Sequence, residues 1–408
     1  MISNQYTIMR YCIILFISFM VVCTCALKYD DYELKLLNVV FRHGDRTPED
    51  SPYEKYPNDP YLNYSFYPMG RGQLTKIGMQ REFKLGEYLR KRYDNYFGPL
   101  YIPKTIEARS SDYDRTKASL QLVLAGLFPT KGIEIWNPRL RWQPIPAKYV
   151  PRVYDNLFLG DECPRYLDEY NKVLESADFK RDIEPYEDLI SELTKYTGKN
   201  ISTPLDISYL YHTLMAEYSM GLPLPAWTKP LFPYGRLYNA TIVAYKAANY
   251  NKSLRKIYGG AMLKEFIKNI VGYVNGTFEK DNKLFVYSGH ETNIASLLYS
   301  LNVYKPHAPA YSSSIFMELL YKDGIYYVRI LYYLGIPLQL ETLQLPGCEE
   351  VCPLDKFFQL TIDDIPSEED MVCDKTTTPD YADQKYDPNR SIDLYNYIKN
   401  YNNNNNKL

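Results

Sequence analysis

An arginine pair brackets a single histidine in Arg42-His43-Gly44-Asp45-Arg46-Thr47-Pro48. Those residue types suit an anionic, tetrahedral group. A guanidinium donates two parallel hydrogen bonds and keeps its charge, so Arg is the best clamp for phosphate oxygens. A neutral imidazole between such clamps can attack phosphorus. The neighbouring arginines repel a proton on that ring, which favours the neutral form even in mild acid. Gly44 allows close approach of the backbone to a ligand. The run before the histidine, Leu36–Phe41, is apolar and β-branched as a buried strand should be, and the polar residues ending at Pro48 read as a loop. Ligands of open α/β sheets bind just beyond such strand ends. Chance alone gives Arg-His-Gly-x-Arg-x-Pro in a chain of 408 residues with a probability on the order of 10⁻⁴, so a plain surface loop is the weaker reading.

A second stretch complements the first. The strand-like Lys283–Tyr287 runs into Ser288-Gly289-His290-Glu291-Thr292-Asn293 and the apolar helix Ile294–Leu301. A carboxylic acid with a raised pKa can protonate a leaving alkoxide, and His290 can donate to phosphoryl oxygens. A His-Glu-x-x-His zinc motif is excluded, because Ile294 stands where the second His belongs. A third strand end appears at Ile102–Arg109, followed by Ser110-Ser111-Asp112-Tyr113-Asp114-Arg115 and a helix over Thr116–Leu127. Helix N-termini attract anions. By residue type alone Arg109 serves as either an ion-pair partner or a ligand.

The Arg42–Pro48 motif resembles the signature of the histidine acid phosphatases, in particular the secreted members of insect venoms and related glands. The resemblance runs from about Glu33 to Cys373 and is loose in the middle of the chain. It implies a phosphohistidine on His43, phosphate binding by Arg42, Arg46, Arg109 and His290, and a proton donor at Glu291 where most of the family has Asp. Arg115 is then a structural ion-pair residue. No metal or other cofactor is implied. The implied fold is α/β, with a mixed, mostly parallel central sheet flanked by helices (phosphoglycerate mutase-like) and a smaller inserted α-helical lobe. Cys348–Cys352 and Cys163–Cys373 are the implied disulfides, and a homodimer is suggested by the resemblance alone.

The elements that must position these groups follow from pattern. Residues 27–150 and 252–375 read as the α/β catalytic domain. Residues 151–251 read as a helical lobe, with helical spacing at Tyr166–Glu175, Tyr186–Tyr196 and Ile207–Met220. His212 lies on an apolar stretch there and reads as a packed histidine, not a ligand. Thr75 caps a helix to Tyr93 with an apolar stripe of Phe83, Leu85, Tyr88 and Leu89. Gly70-Arg71-Gly72 before it reads as a helix-leading turn. Tyr53–Pro68 reads as an exposed loop at the site mouth. One long helix is expected over Ser253–Val274, and Lys322-Asp323-Gly324 joins a hairpin of Ile315–Tyr321 and Ile325–Tyr333.

Composition bounds the setting. The chain is 46% hydrophobic and 24% charged, with a net charge of −2, which offers no basic patch for nucleic acid. Arg10, the apolar Tyr11–Val22 and small residues to Ala26 read as a signal peptide over 1–26; a retained membrane anchor is the alternative. After cleavage no membrane span is expected, and the polar 376–408 reads as a disordered tail. Of 7 cysteines, Cys12, Cys23 and Cys25 leave with the leader, so 4 remain, a number that suits an oxidising compartment. Sequons at Asn63, Asn200, Asn239, Asn251, Asn275 and Asn389 point to glycosylation and secretion. Two rivals to a secreted acid phosphatase stand: a glandular protein acting by binding a partner, and an inositol-polyphosphate phosphatase. The second needs a strongly basic pocket, and no concentration of Lys or Arg beyond the clamp indicates one.

Overall fold

The computed structural model describes residues 31–278, 281–335 and 339–373. The leader, Asn389 and the tail from 376 lie outside the described residues. The centre is a sheet of β1 (Glu33–Arg42), β2 (Ile106–Ser110), β3 (Lys148–Tyr149), β4 (Leu284–Gly289), β5 (Ser314–Lys322), β6 (Ile325–Tyr333), β7 (Leu340–Leu343) and β8 (Val351–Pro353). Strand order is β3-β2-β4-β1-β5-β6-β7, with β8 on β6. The sheet is mixed: β3, β2, β4 and β1 run parallel, and β5 to β8 extend it with antiparallel pairings.

The strand β1 is the axis because both of its faces are apolar. Leu37, Val39 and Phe41 enter one core with α1 (Lys76–Arg92) and α2 (Asp114–Leu127); Leu36 and Val40 enter the other. Full burial of each such side chain contributes about 2 kcal/mol. The second core is closed by α9 (Gly259–Val274), α10 (Glu291–Ser300) and α11 (Leu354–Thr361). Thr75 caps α1 by accepting from Gly78 N at 3.1 Å. Of the expected stripe, Leu85 and Leu89 are buried and Tyr88 packs on the same core, whereas Phe83 is exposed. The hairpin β5–β6 turns through Asp323 and Gly324, both at positive φ, as an Asp-Gly turn requires.

Between β3 and α9 lie α3 (Pro164–Glu175), α4 (Ala177–Ile183), α5 (Glu187–Thr197), α6 (Pro204–Ser219), α7 (Arg236–Ala248) and α8 (Lys252–Ile257). Single turns at Asp94–Phe97 and Glu368–Met371 stand apart from this numbering. The expected long helix is broken into α8 and α9 at Tyr258. The chain turns there because Tyr258 Oη donates to Thr292 and Gly259 packs directly on the backbone of Ser296. Disulfides join Cys163 to Cys373 and Cys348 to Cys352, with Cα separations of 5.4 and 5.6 Å. Asn63, Asn200, Asn239 and Asn275 are exposed. Asn251 is half-buried and caps α8. No helix among the described residues is long and apolar enough to cross a membrane.

Tyr53–Pro68 is exposed over much of its length, with Tyr53, Tyr64 and Tyr67 facing solvent, but it is anchored at several points. Tyr56 is buried among Leu189, Leu193, Leu210 and Leu214. Asn58 Nδ2 donates to Tyr196 O at 2.9 Å and Tyr61 Oη to Pro223 O at 2.8 Å. Its Pro and Asn content sets an irregular path, and Tyr56 finds cover on α5 and α6. One consequence is a buried carboxyl pair. Glu217 of α6 is fully buried beside Asp59 of the loop. Burial first, then the Asp59 charge, pushes the Glu217 pKa up to about 9. The folded protein therefore holds a proton that the unfolded chain releases above the usual carboxyl range. Stability falls as pH rises through that window. Glu217→Gln should raise the unfolding midpoint at about pH 8 and leave it nearly unchanged at about pH 4; parallel midpoint curves for the two proteins would contradict this origin.

Candidate active site

Three parallel strands end side by side. Arg42 pairs with Gly289 across β1–β4, and Ser110 with Ser288 across β2–β4. The backbone continues this register past the strand ends: His43 N donates to Gly289 O at 3.0 Å and Ser111 N to Ser288 O at 3.0 Å. The loop after His43 rests on the first turn of α1. A Cβ on Gly44 would lie 2.6 Å from Gly78 O, and one on Gly78 would strike Asp45 O. Both glycines are needed for that approach.

His43 is 1% exposed. Its Nδ1 lies 2.8 Å from Gly44 O, a group that only accepts, so Nδ1 carries the proton. The Nε2 lone pair receives Arg115 Nε–H at 3.1 Å. Burial, then the charges of Arg115 and Arg42, hold the ring well below the usual histidine pKa. A neutral, oriented imidazole results, with Nε2 as its nucleophilic atom.

Around it, each buried guanidinium has a carboxylate. Arg42 Nε lies 3.1 Å from Glu291 Oε2, its Nη1 donates to Pro309 O at 2.7 Å, and its plane covers Tyr311 at 4.1 Å. Arg46 is held by both oxygens of Glu54. Arg115 Nη2 meets Glu49 at 2.6 Å. Arg42 Nη2 and Arg46 Nε are buried with no hydrogen-bond partner among the described residues. Buried charged donors without partners cost several kcal/mol, so two such donors beside one imidazole mark an anion site.

His290 completes the cluster. Its ring centroid is 5.6 Å from that of His43, and its Nε2 is 2.9 Å from Ser111 Oγ. Burial, then Arg115, lowers its pKa to about 3, so it too stays neutral in acid. Glu291 opens α10. Burial pushes its carboxyl up, but the permanent charge of Arg42 outweighs this and holds it well below the usual range.

The sequence-derived set is thus brought together at His43, Arg42, Arg46, His290 and Glu291, but not at Arg109. Arg109 Nη2 donates to the fully buried Asp155 at 2.8 Å, and the same carboxylate accepts from Leu157 N and Phe158 N. That ion pair ties the 155–158 segment to the sheet. The third arginine at His43 is Arg115. Arg109 is still inside the strand, paired with Tyr287, whereas Arg115 sits in the first turn of the helix beyond the strand end. Ligands bind beyond that end, a rule that favours Arg115. Sequence reasoning also passed over Glu49, Glu54, Ser111 and Tyr311, which carry no motif of their own. His212 is packed as expected, yet its Nε2 lies 3.7 Å from Glu291 Oε1.

Comparison with known proteins identifies the family. Residues 33–333 match the family model of the histidine phosphatase superfamily, branch 2. The chain is 49% identical to venom acid phosphatase Acph-1 of Apis mellifera, over 90% of this chain and 93% of that protein. It is 34% identical to prostatic acid phosphatase of Homo sapiens, over 85% and 89%, and 32% identical to human lysosomal acid phosphatase, over 85% and 81%. Among solved structures, a phytase of Klebsiella sp. ASR1 superposes with a TM-score of 0.64 at 18% identity, covering 86% of this chain and 99% of that one, a likeness of fold. On these matches the chain belongs to the histidine phosphatase superfamily, branch 2.

Proposed function

We propose that the chain is an acid phosphatase that hydrolyses phosphate monoesters through a phosphohistidine on His43. The observation that carries this reading is the neutral His43 Nε2 inside a ring of buried arginines, with an ionisable carboxyl across the same cleft. Relatives named acid phosphatases support it.

The chemistry follows from the groups present. Arg42, Arg46, Arg115 and His290 bind the phosphoryl oxygens; Arg115 Nε–H leaves the nitrogen lone pair for a phosphate oxygen. His43 Nε2 then attacks phosphorus, the P–N bond forms and the bond to the leaving oxygen breaks. Glu291 gives that oxygen its proton. Water next attacks the phosphohistidine, Glu291 takes its proton, and phosphate departs from a neutral His43. Preorganised cations stabilise the charge that develops on the equatorial oxygens. His43→Ala should lower kcat/KM for an aryl phosphate by at least about 10³-fold. Arg115→Ala should cost about 10²-fold. Arg109→Ala should cost less than about 10-fold in rate but about 3 kcal/mol in stability, because Asp155 is left as a buried charge. Retained turnover by His43→Ala overturns the mechanism, and a larger rate loss at Arg109 than at Arg115 overturns the clamp.

The protonation states also set a pH profile. Glu291 is ionised in the ligand-free site, so the proton enters with the substrate monoanion, whose second pKa is near 6. Bound phosphate then draws the Arg42 charge away from Glu291 and raises its proton affinity. kcat/KM should therefore fall as pH rises above about 6. It should not fall on the acid side near 6.5, where an exposed histidine would be protonated, because the His43 pKa is depressed. Rates measured from about pH 4 to about pH 8 check this, and an acid limb centred near 6.5 contradicts it.

We further propose that the protein is secreted and glycosylated, with residues 1–26 as its leader. Venom and prostatic relatives, the two disulfides and the exposed sequons support this. Expression in a secreting cell should yield enzyme in the medium whose mass drops on N-glycosidase treatment; enzyme retained in membranes would point to an anchor.

A further inference from the structure

We propose that His212, backed by Tyr245, is a positioning residue for the proton donor, holding Oε1 of Glu291 so that Oε2 presents the proton to the leaving oxygen. The inference rests on the acid-phosphatase reading above and adds to it a group from outside the α/β body. His212 lies on α6 and Tyr245 on α7. The His212 ring is buried, with Nε2 2.9 Å from Tyr245 Oη and 3.7 Å from Glu291 Oε1. Its Nδ1 is buried with no hydrogen-bond partner among the described residues. An unpaired acceptor is cheaper than an unpaired buried N–H, so the proton belongs on Nε2. That N–H is then shared between the tyrosine oxygen and the carboxylate. The ring acts as a neutral dipole: burial lowers its pKa to about 3 despite the pull of Glu291.

The need for such a group follows from the rest of the site. The charged or titratable groups facing Glu291 are Arg42, His43, His290, His212, Tyr245 and Tyr258. Arg42 Nε holds Oε2 while its Nη2 is left for bound phosphate, and His43 and His290 face the phosphoryl group. Among the described residues, His212 is the group paired with Oε1. A glutamate has one more side-chain torsion than an aspartate, so an unanchored carboxyl samples more rotamers. The 3.7 Å separation is open for a hydrogen bond, and such contacts commonly tighten in the substrate complex. In the transfer the Oε2–H bond breaks and a bond from hydrogen to the leaving oxygen forms. The carboxylate left behind accepts from His212 Nε2–H.

Leaving-group dependence tests this role. A nitrophenolate departs with little protonation, whereas an alkoxide needs the acid. The measured quantity is kcat/KM for 4-nitrophenyl phosphate and for glycerol phosphate. His212→Ala should lose roughly 10- to 100-fold with glycerol phosphate and only about 3-fold with the nitrophenyl ester. His212→Gln, whose amide N–H reaches about as far as Nε2, should recover most of the alkyl ester rate. Tyr245→Phe keeps the packing and should show the same bias at smaller size, which decides the matter if His212→Ala does not fold. Equal losses with both esters, or none, would overturn the proposal. A wild-type enzyme that turns over neither ester would instead overturn the acid-phosphatase reading itself.

Discussion

Charge balance among buried arginines constrains everything else in this structure. Three guanidinium groups surround the His43–His290 pair, and none could be buried alone at a cost of several kcal/mol each. Each is matched by one carboxylate: Arg42 by Glu291, Arg46 by Glu54 and Arg115 by Glu49. These pairings hold the arginines in place, yet Arg42 Nη2 and Arg46 Nε remain free of partners. The site is neutral enough to fold and still has donors for an anion.

That balance reaches well beyond the motif. Glu54 belongs to the 53–68 segment, which is fixed by Tyr56 buried against α5 and α6 and by hydrogen bonds from Asn58 and Tyr61. Thr213 of α6 also donates to Glu54 O at 3.1 Å. The helices between β3 and α9 therefore support Arg46 as well as forming a wall opposite Glu291. The same burial keeps His43, His212 and His290 uncharged in acid. The pocket thus suits a medium in which an exposed imidazole would be a cation and no nucleophile.

Much of this was legible in order along the chain. Leu36–Phe41 announces a strand by apolar content, Gly44 and Pro48 announce the loop, and Asp323-Gly324 announces the hairpin. Each signal is local: periodicity, a turn residue or a cap needs only near neighbours. The motif stretches at His43 and His290–Glu291 were legible for the same reason, since each is contiguous. The break at Tyr258 was not, because it depends on packing against Ser296 and Thr292, residues far away in sequence.

By itself the sequence determined which chemistry is present: a nucleophilic imidazole, guanidinium clamps and a carboxylic acid at the ends of apolar strands. Only the tertiary structure decided which arginine serves. Arg109 and Arg115 are both plausible by type and spacing, and the choice depends on Asp155, a residue 46 positions beyond Arg109, capturing the first. It also decided that His212 faces Glu291, which no local pattern encodes. Pairing partners across a fold are set by where helices and strands pack, and packing is a property of surfaces assembled from distant segments.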